Sequence, residues 1–290
     1  MYKKYGGVNV KKRILFKILG IILLFIIGLC ILFCGQRSWE VMHYTYIKPM
    51  EKPTKPTWYT ENKVVAHATG GIDGLDYTNS KEALLNTIEN GIKVIEIDFN
   101  YTTDGNLVCY HYYNNITPEA RELSLEEFLN VKIQGKYTPM IFQDVVQIMK
   151  DNPDIYISVD TKHIKLEEIV QEIVNNCKDK SVLNRFIIQC YFPGDKTKIS
   201  KIYNFPKENY LYTPYKYIED PYKVLQICYN ENINVVTVKN GIWSQEILEL
   251  FKNKNIYVYV YSVNRPDKVQ EAFENGVHGI YTDFLLKPIK

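Results

Sequence analysis

Between residues 64 and 283, eight short apolar runs recur, and most gaps between them leave room for a helix. No other feature limits the fold as much. The runs are VVAHA (64–68), VIEIDF (94–99), IYISVDT (155–161), FIIQCY (186–191), YLYTPY (210–215), VVTVKN (235–240), IYVYVYSV (256–263) and GIYTD (279–283). Their β-branched and aromatic residues suit a pleated, buried strand. The stretches between carry helical patterns. Two of them, SKEALLNTIENG and RPDKVQEAFENG, end in Asn-Gly, a helix stop. Strands that alternate with helices pair in parallel, because a parallel neighbour needs a crossover. Eight of them predict an α/β fold of the (β/α)8 TIM-barrel type.

One further run, LVCYH (107–111), follows EIDFNYTTDGN too closely for a helix. Asp-Gly between strand-like runs signals a hairpin. Residues 94–111 therefore read as a barrel strand that continues into a hairpin and carries His111 back to the barrel mouth. Residues 112–137 read as an irregular insertion before a helix at about 139–151.

The N-terminus has a different character. Residues 14–34, ILFKILGIILLFIIGLCILFC, contain a single charge, Lys17. About 20 apolar residues span a hydrocarbon core, and a lysine one turn inside can snorkel to the interface. Residues 1–37 carry seven basic residues and no acidic one. The positive-inside rule then makes 1–13 a cytoplasmic basic tail and 14–34 a single transmembrane helix of the cell membrane. Everything beyond residue 34 would lie outside the cell. A cleaved signal peptide is the competing reading, but the run is long for one and no small-x-small site follows. Residues 35–61, with Pro53, Pro56 and Trp58, read as a stalk, and 62–290 as the barrel. From residue 38 onward, 28 of the 35 basic residues face all 33 acidic ones, a net of −5. That sign disfavours nucleic acid as a partner. Cys109, Cys177, Cys190 and Cys228 match no zinc or redox spacing and read as free buried thiols.

Chemistry on a parallel barrel sits at the C-terminal ends of its strands. There the sequence places His67, then Glu96 and Asp98, then Asp160 and Lys162, with His111 arriving on the hairpin. Glu96 and Asp98 are two apart and share one face of their strand. Two ionised carboxylates in an apolar setting repel. A hard divalent cation, Ca²⁺ or Mg²⁺, resolves this, with Asp160 as third ligand. An exposed edge strand, or pairing with Lys and Arg, would resolve it too. Two histidines beside such a cluster suit general acid and base work near neutral pH. His43, His163 and His278 fall in the stalk, in a loop or at a helix start. The loop TGGIDG (69–74) reads either as an anion cradle of backbone amides or as a flexible turn. Most of the 24 tyrosines read as strand formers, although some could line a groove for sugars or glycerol.

The ordered series AHATGG (66–71), YTNS (77–80), IEIDFNYTTDGNLVCYH (95–111), ISVDTK (157–162), IIQCY (187–191), VYSVN (260–264) and GVHGIYTD (276–283) resembles the glycerophosphodiester phosphodiesterase family. That family belongs to the phosphatidylinositol-phospholipase-C-like barrels. The resemblance covers about residues 62–286. It implies a metal-dependent phosphoric diester hydrolase. His67 and His111 would be its catalytic histidines, Glu96, Asp98 and Asp160 its metal ligands, and Lys162 a lysine that approaches the phosphate. There are departures. Ala68 stands where the family has Arg, Thr78 replaces the Glu of its PENT motif, and Tyr112 replaces the Asp after the second His. Asp160 replaces a Glu, and Tyr261 replaces a Trp. Expected substrates are glycerophosphodiesters, lysophospholipids or glycerophosphate-bearing envelope glycans. The rival class is a barrel that binds such ligands without turnover. A carboxylate-pair glycosidase is a third reading, disfavoured because it leaves both histidines without a role.

Overall fold

The computed structural model describes residues 18–31, 35, 47–111, 120–161 and 164–289. The chain divides into two units, Met1–Ile47 and Lys48–Lys290. In the first, the described helical residues are 18–31 and 35. Their apolar side chains are exposed, from Ile27 at 45% to Leu24 at 70%. Among the described residues no helix is long and apolar enough to cross a membrane. The expected transmembrane helix over 14–34 is therefore not supported. Its residues 14–17 and 32–34 lie outside the described residues.

The second unit is the expected barrel. Its strands are β1 (Val64–Ala66), β2 (Val94–Tyr101), β3 (Leu107–Cys109), β4 (Met140–Ile141), β5 (Tyr156–Asp160), β6 (Phe186–Cys190), β7 (Tyr210–Tyr212), β8 (Val235–Lys239), β9 (Tyr257–Tyr261) and β10 (Gly279–Thr282). Neighbours run β1-β10-β9-β8-β7-β6-β5-β2, and β1 pairs with β2 to close the ring. All eight barrel pairings are parallel. The β2–β5 register sets Glu96 against Ser158 and Asp98 against Asp160. Facing residues in paired strands point to the same side of the sheet. The three acids therefore converge on the barrel interior.

The hairpin is present as read. The outer end of β2 pairs antiparallel with β3. Its turn is fixed by Thr102 and Asp104: the Thr102 hydroxyl donates to Asp104 Oδ1 at 2.6 Å and accepts from the Asn106 amide at 3.0 Å. Gly105 supplies the left-handed backbone at φ 80°. Strand β4 pairs with β3 in turn, an addition the sequence did not signal. The insertion is also less irregular than expected. Ser124 and Glu127 form a capping box on a helix Leu125–Asn130, which satisfies free amides at the helix start.

Residues 48–61, read from sequence as part of a stalk, pack on the barrel instead. Asn255 donates to the Met50 carbonyl at 2.6 Å. The short helix Trp58–Glu61 is capped by Thr57. Trp58 and Tyr59 are 2% and 1% exposed and pack on Val65, Val94, Leu211 and Val235 at the N-terminal ends of the strands. The Trp58 indole donates to the Glu208 carbonyl at 2.8 Å. Large aromatic rings thus close the floor. Cys109, Cys177, Cys190 and Cys228 are free and buried.

Candidate active site

The site lies at the C-terminal mouth. Glu96, Asp98 and Asp160 are buried, and each offers an oxygen within 4.8 Å of the others. Each is held by a neutral donor. The Ala68 amide donates to Glu96 Oε2 at 2.7 Å. The Asn79 side chain donates to Asp98 Oδ2 at 2.9 Å, and its carbonyl accepts from the Asp98 amide at 3.1 Å. The Tyr191 hydroxyl donates to Asp160 Oδ1 and itself accepts from Gln189 at 3.0 Å and from the Thr161 amide at 3.1 Å. Burial and then the Asp160 charge push the Tyr191 phenol well above its ordinary range. It therefore stays a donor.

Two imidazoles approach this cluster. His67 Nε2 is 3.9 Å from Glu96 Oε2, and His111 Nε2 is 4.0 Å from Asp98 Oδ1. The Tyr77 ring lies between them, its centroid 4.7 Å from each imidazole. On its other side, His67 Nδ1 is 2.8 Å from Asp283 Oδ1. Asp283 Oδ2 accepts from Asn264 at 2.6 Å, and the Asn264 carbonyl accepts from the Asp283 amide at 2.8 Å. Burial alone would push the His67 imidazolium down. The Asp283 hydrogen bond and the charges of Glu96, Asp283 and Asp98 outweigh burial and raise it from 6.5 to about 9.

The glycines after His67 serve close approach to the chain itself. The Gly71 amide donates to the Asp283 carbonyl at 2.5 Å. A Cβ on Gly71 would lie 2.3 Å from the Phe284 ring. This clamp draws the His67 loop onto Asp283 and spends the Gly71 amide on the chain itself. Ala68 is fully buried with left-handed backbone at φ 48°. Lys162 and Tyr112 lie outside the described residues. His278, expected in a loop or at a helix start, sits at the opposite end, with Nε2 2.6 Å from the Tyr59 carbonyl.

Of the residues named from sequence, His67, His111, Glu96, Asp98 and Asp160 come together. Asp283, Asn264, Asn79 and Tyr191 complete the arrangement. Each sits in a segment of the motif series, at or beyond a strand end. Their roles were hidden because each acts on a residue distant in sequence.

The family model for glycerophosphoryl diester phosphodiesterases matches residues 71–287. The chain belongs to that family. It is therefore a phosphoric diester hydrolase by family, on a TIM barrel. The protein YqiK of Bacillus subtilis is 23% identical over 237 residues, covering 77% of this chain and 95% of its own. Three solved structures share the fold. A phosphodiesterase of Oleispira antarctica in complex with the product sn-glycerol-3-phosphate has a TM-score of 0.63 at 12% identity, with 80% of this chain and 97% of that one covered. Glycerophosphodiester phosphodiesterases of Thermotoga maritima and Agrobacterium tumefaciens both have a TM-score of 0.58, at 18% and 13% identity. They cover 77% of this chain and 94% and 96% of their own.

Proposed function

We propose that this chain hydrolyses glycerophosphodiester-type bonds with a divalent cation held by Glu96, Asp98 and Asp160. The supporting observation is the convergence of three buried carboxylates with an imidazole on either side. The donor set fits such an ion: all three ligands are oxygens, as Ca²⁺ and Mg²⁺ prefer, and their other bonds orient them. A bound dication would neutralise charge developing on the non-bridging phosphoryl oxygens.

The two histidines divide the proton work. Asp283 fixes the His67 ring with Nε2 toward the carboxylates. A dication held there would lower the His67 proton affinity, and Asp283 would oppose that fall. His67 therefore suits the acid, giving its proton to the leaving alcohol oxygen as the phosphorus–oxygen bond breaks. His111 takes the proton of the attacking hydroxyl, from water or from the substrate's own glycerol, as the new phosphorus–oxygen bond forms. Lys162 would add a point charge near the phosphate where the family's Arg gives way to Ala68.

The substrate classes are lipid head groups and envelope glycopolymers, met outside the cell if residues 14–34 anchor the chain. Among the described residues, the apolar side chains exposed on 18–31 are the one feature that favours such an anchor, and carbonate extraction with protease accessibility of the barrel in intact cells tests it.

The deciding experiment measures product release from glycerophosphocholine and bis(p-nitrophenyl) phosphate, with EDTA or with added Ca²⁺, Mg²⁺ or Mn²⁺. Turnover should need the metal and fall by at least 10²-fold in Glu96→Ala, His67→Ala and His111→Ala. No turnover with any metal would favour a barrel that binds without cleaving, with Ala68 as the reason.

A further inference from the structure

A cleft of about 750 Å³ opens beside the carboxylate cluster, between the loops that follow β5, β6 and β7. Tyr191 forms its inner wall and also donates to Asp160. The cleft therefore begins one hydrogen bond from the reacting centre. That volume is the size of a small-molecule site.

Half of its lining residues are apolar or aromatic. Tyr215 stacks on Tyr191 with centroids 5.5 Å apart and planes 5° apart. Ile164, Leu166 and Phe192 extend that apolar wall, beside Thr161 and the charged rim. Phe192 is 59% exposed and Tyr215 52% exposed, which leaves aromatic area in water that a ligand would cover. The wall is also preorganised. Asp195 Oδ2 accepts from the amides of both Tyr191 and Phe192, at 2.9 and 2.8 Å.

Among the described residues, the charges at the rim pair with acidic or basic neighbours. Lys198 pairs with Glu167 at 3.0 Å and with Asp195 at 3.4 Å. Lys165 pairs with Glu168 at 3.5 Å. A chain of repeating phosphates would need several cations directed at it, and the described lysines of the cleft, Lys165 and Lys198, already have partners. An apolar chain needs only the exposed rings and aliphatic side chains.

We propose that this cleft binds an acyl or alkyl chain attached to the phosphodiester. The preferred substrates are then phosphodiesters with one medium-length apolar group, not two small polar ones. The inference rests on the placement of the reacting centre given above, but its test does not rest on turnover. Hexyl-, octyl- and decylphosphocholine, kept below their micelle concentrations, are titrated calorimetrically into the full-length, metal-loaded protein. Affinity should rise about two- to fourfold per added methylene, the range expected for partial to full burial of a CH₂. Phe192→Ser and Tyr215→Ser, both at exposed positions, should each flatten that dependence. A flat series in the wild type would overturn the proposal, as would a dependence unchanged in both variants. A flat series with glycerophosphoinositol bound more tightly than glycerophosphocholine would assign the cleft to a polyhydroxylated ring and equally overturn it. If glycerophosphocholine is hydrolysed but the alkyl series is flat, the proposed reaction stands and the cleft assignment falls. If affinity follows chain length without turnover of any substrate, the cleft assignment stands and the reaction falls.

Discussion

The groups that shape this site at the residue scale are those behind the carboxylates and imidazoles. Asp283 holds His67 by one nitrogen and is itself locked by Asn264. Asn79 grips Asp98 through both side chain and backbone. Removing such a partner leaves the reacting group present but badly aimed, which affects kcat more than KM. Asp283→Asn should therefore lower kcat by about 10²-fold with little change in KM, read from steady-state kinetics. The same pair makes stability depend on pH in the metal-free protein. The folded value of His67, about 9, lies above its ordinary 6.5. The folded state then binds the proton more tightly than the unfolded chain. The stabilisation is fully present below pH 6.5 and is lost as the pH rises through about 9. Thermal melts of the metal-free protein should show Tm falling across that window. In Asp283→Asn the fall should be smaller and complete at lower pH. An unchanged melting profile in that variant would count against the assigned coupling.

At the scale of elements, two additions to the barrel decide where the chemistry goes. Strand β2 runs past the barrel rim and turns back through β3, and this brings His111 to face His67 across Asp98 and Glu96. The Asp104-Gly105 turn sets its register, because Thr102 and Asp104 close it with side-chain hydrogen bonds. At the other end, the helix Trp58–Glu61 fills the floor. Trp58 is nearly fully buried and hydrogen-bonded to Glu208. Trp58→Ala would leave a cavity and an unpaired carbonyl, at about 3–5 kcal/mol of stability. Chemical denaturation should show that loss. Truncation to residue 62 should be at least as damaging, since it removes the whole floor. A truncated barrel as stable as the full chain would show that the segment is only a tether.

For the whole molecule, the barrel is a device for assembling repulsive groups. Closing eight strands places Glu96 and Asp98 of β2 beside Asp160 of β5 in one buried cluster. Three carboxylates so close repel one another, and a divalent cation between them would offset that repulsion further than the neighbouring donors do. A ligand that binds only the folded state stabilises it by mass action. At a hundred times its dissociation constant the gain is about 2.7 kcal/mol, a rise in Tm on the order of 5–10 °C for a domain of this size. Differential scanning fluorimetry with Ca²⁺, Mg²⁺ and Mn²⁺ should show it. EDTA should reverse it, and Glu96→Ala should lack it.

Much of this was legible in the order of residues. Strand–helix alternation is a local pattern, so it gave the barrel and, through strand ends, His67, Glu96, Asp98, Asp160 and His111. The Asp-Gly turn is also local, and it gave the hairpin. What escaped depends on contacts between distant segments. Trp58 and Tyr59 look like stalk residues until the barrel floor exists to bury them. The glycines after His67 read as an anion cradle or a flexible turn until Asp283 is brought against them. Tyr191 reads as one more strand tyrosine until Asp160 lies beneath its hydroxyl and Tyr215 against its ring. The sequence determined the elements and the chemical groups at their ends, because backbone periodicity and turn chemistry act over a few residues. Only the tertiary structure decided which groups hold which, because hydrogen bonds and packing act across space and the chain separates these partners by up to 216 residues.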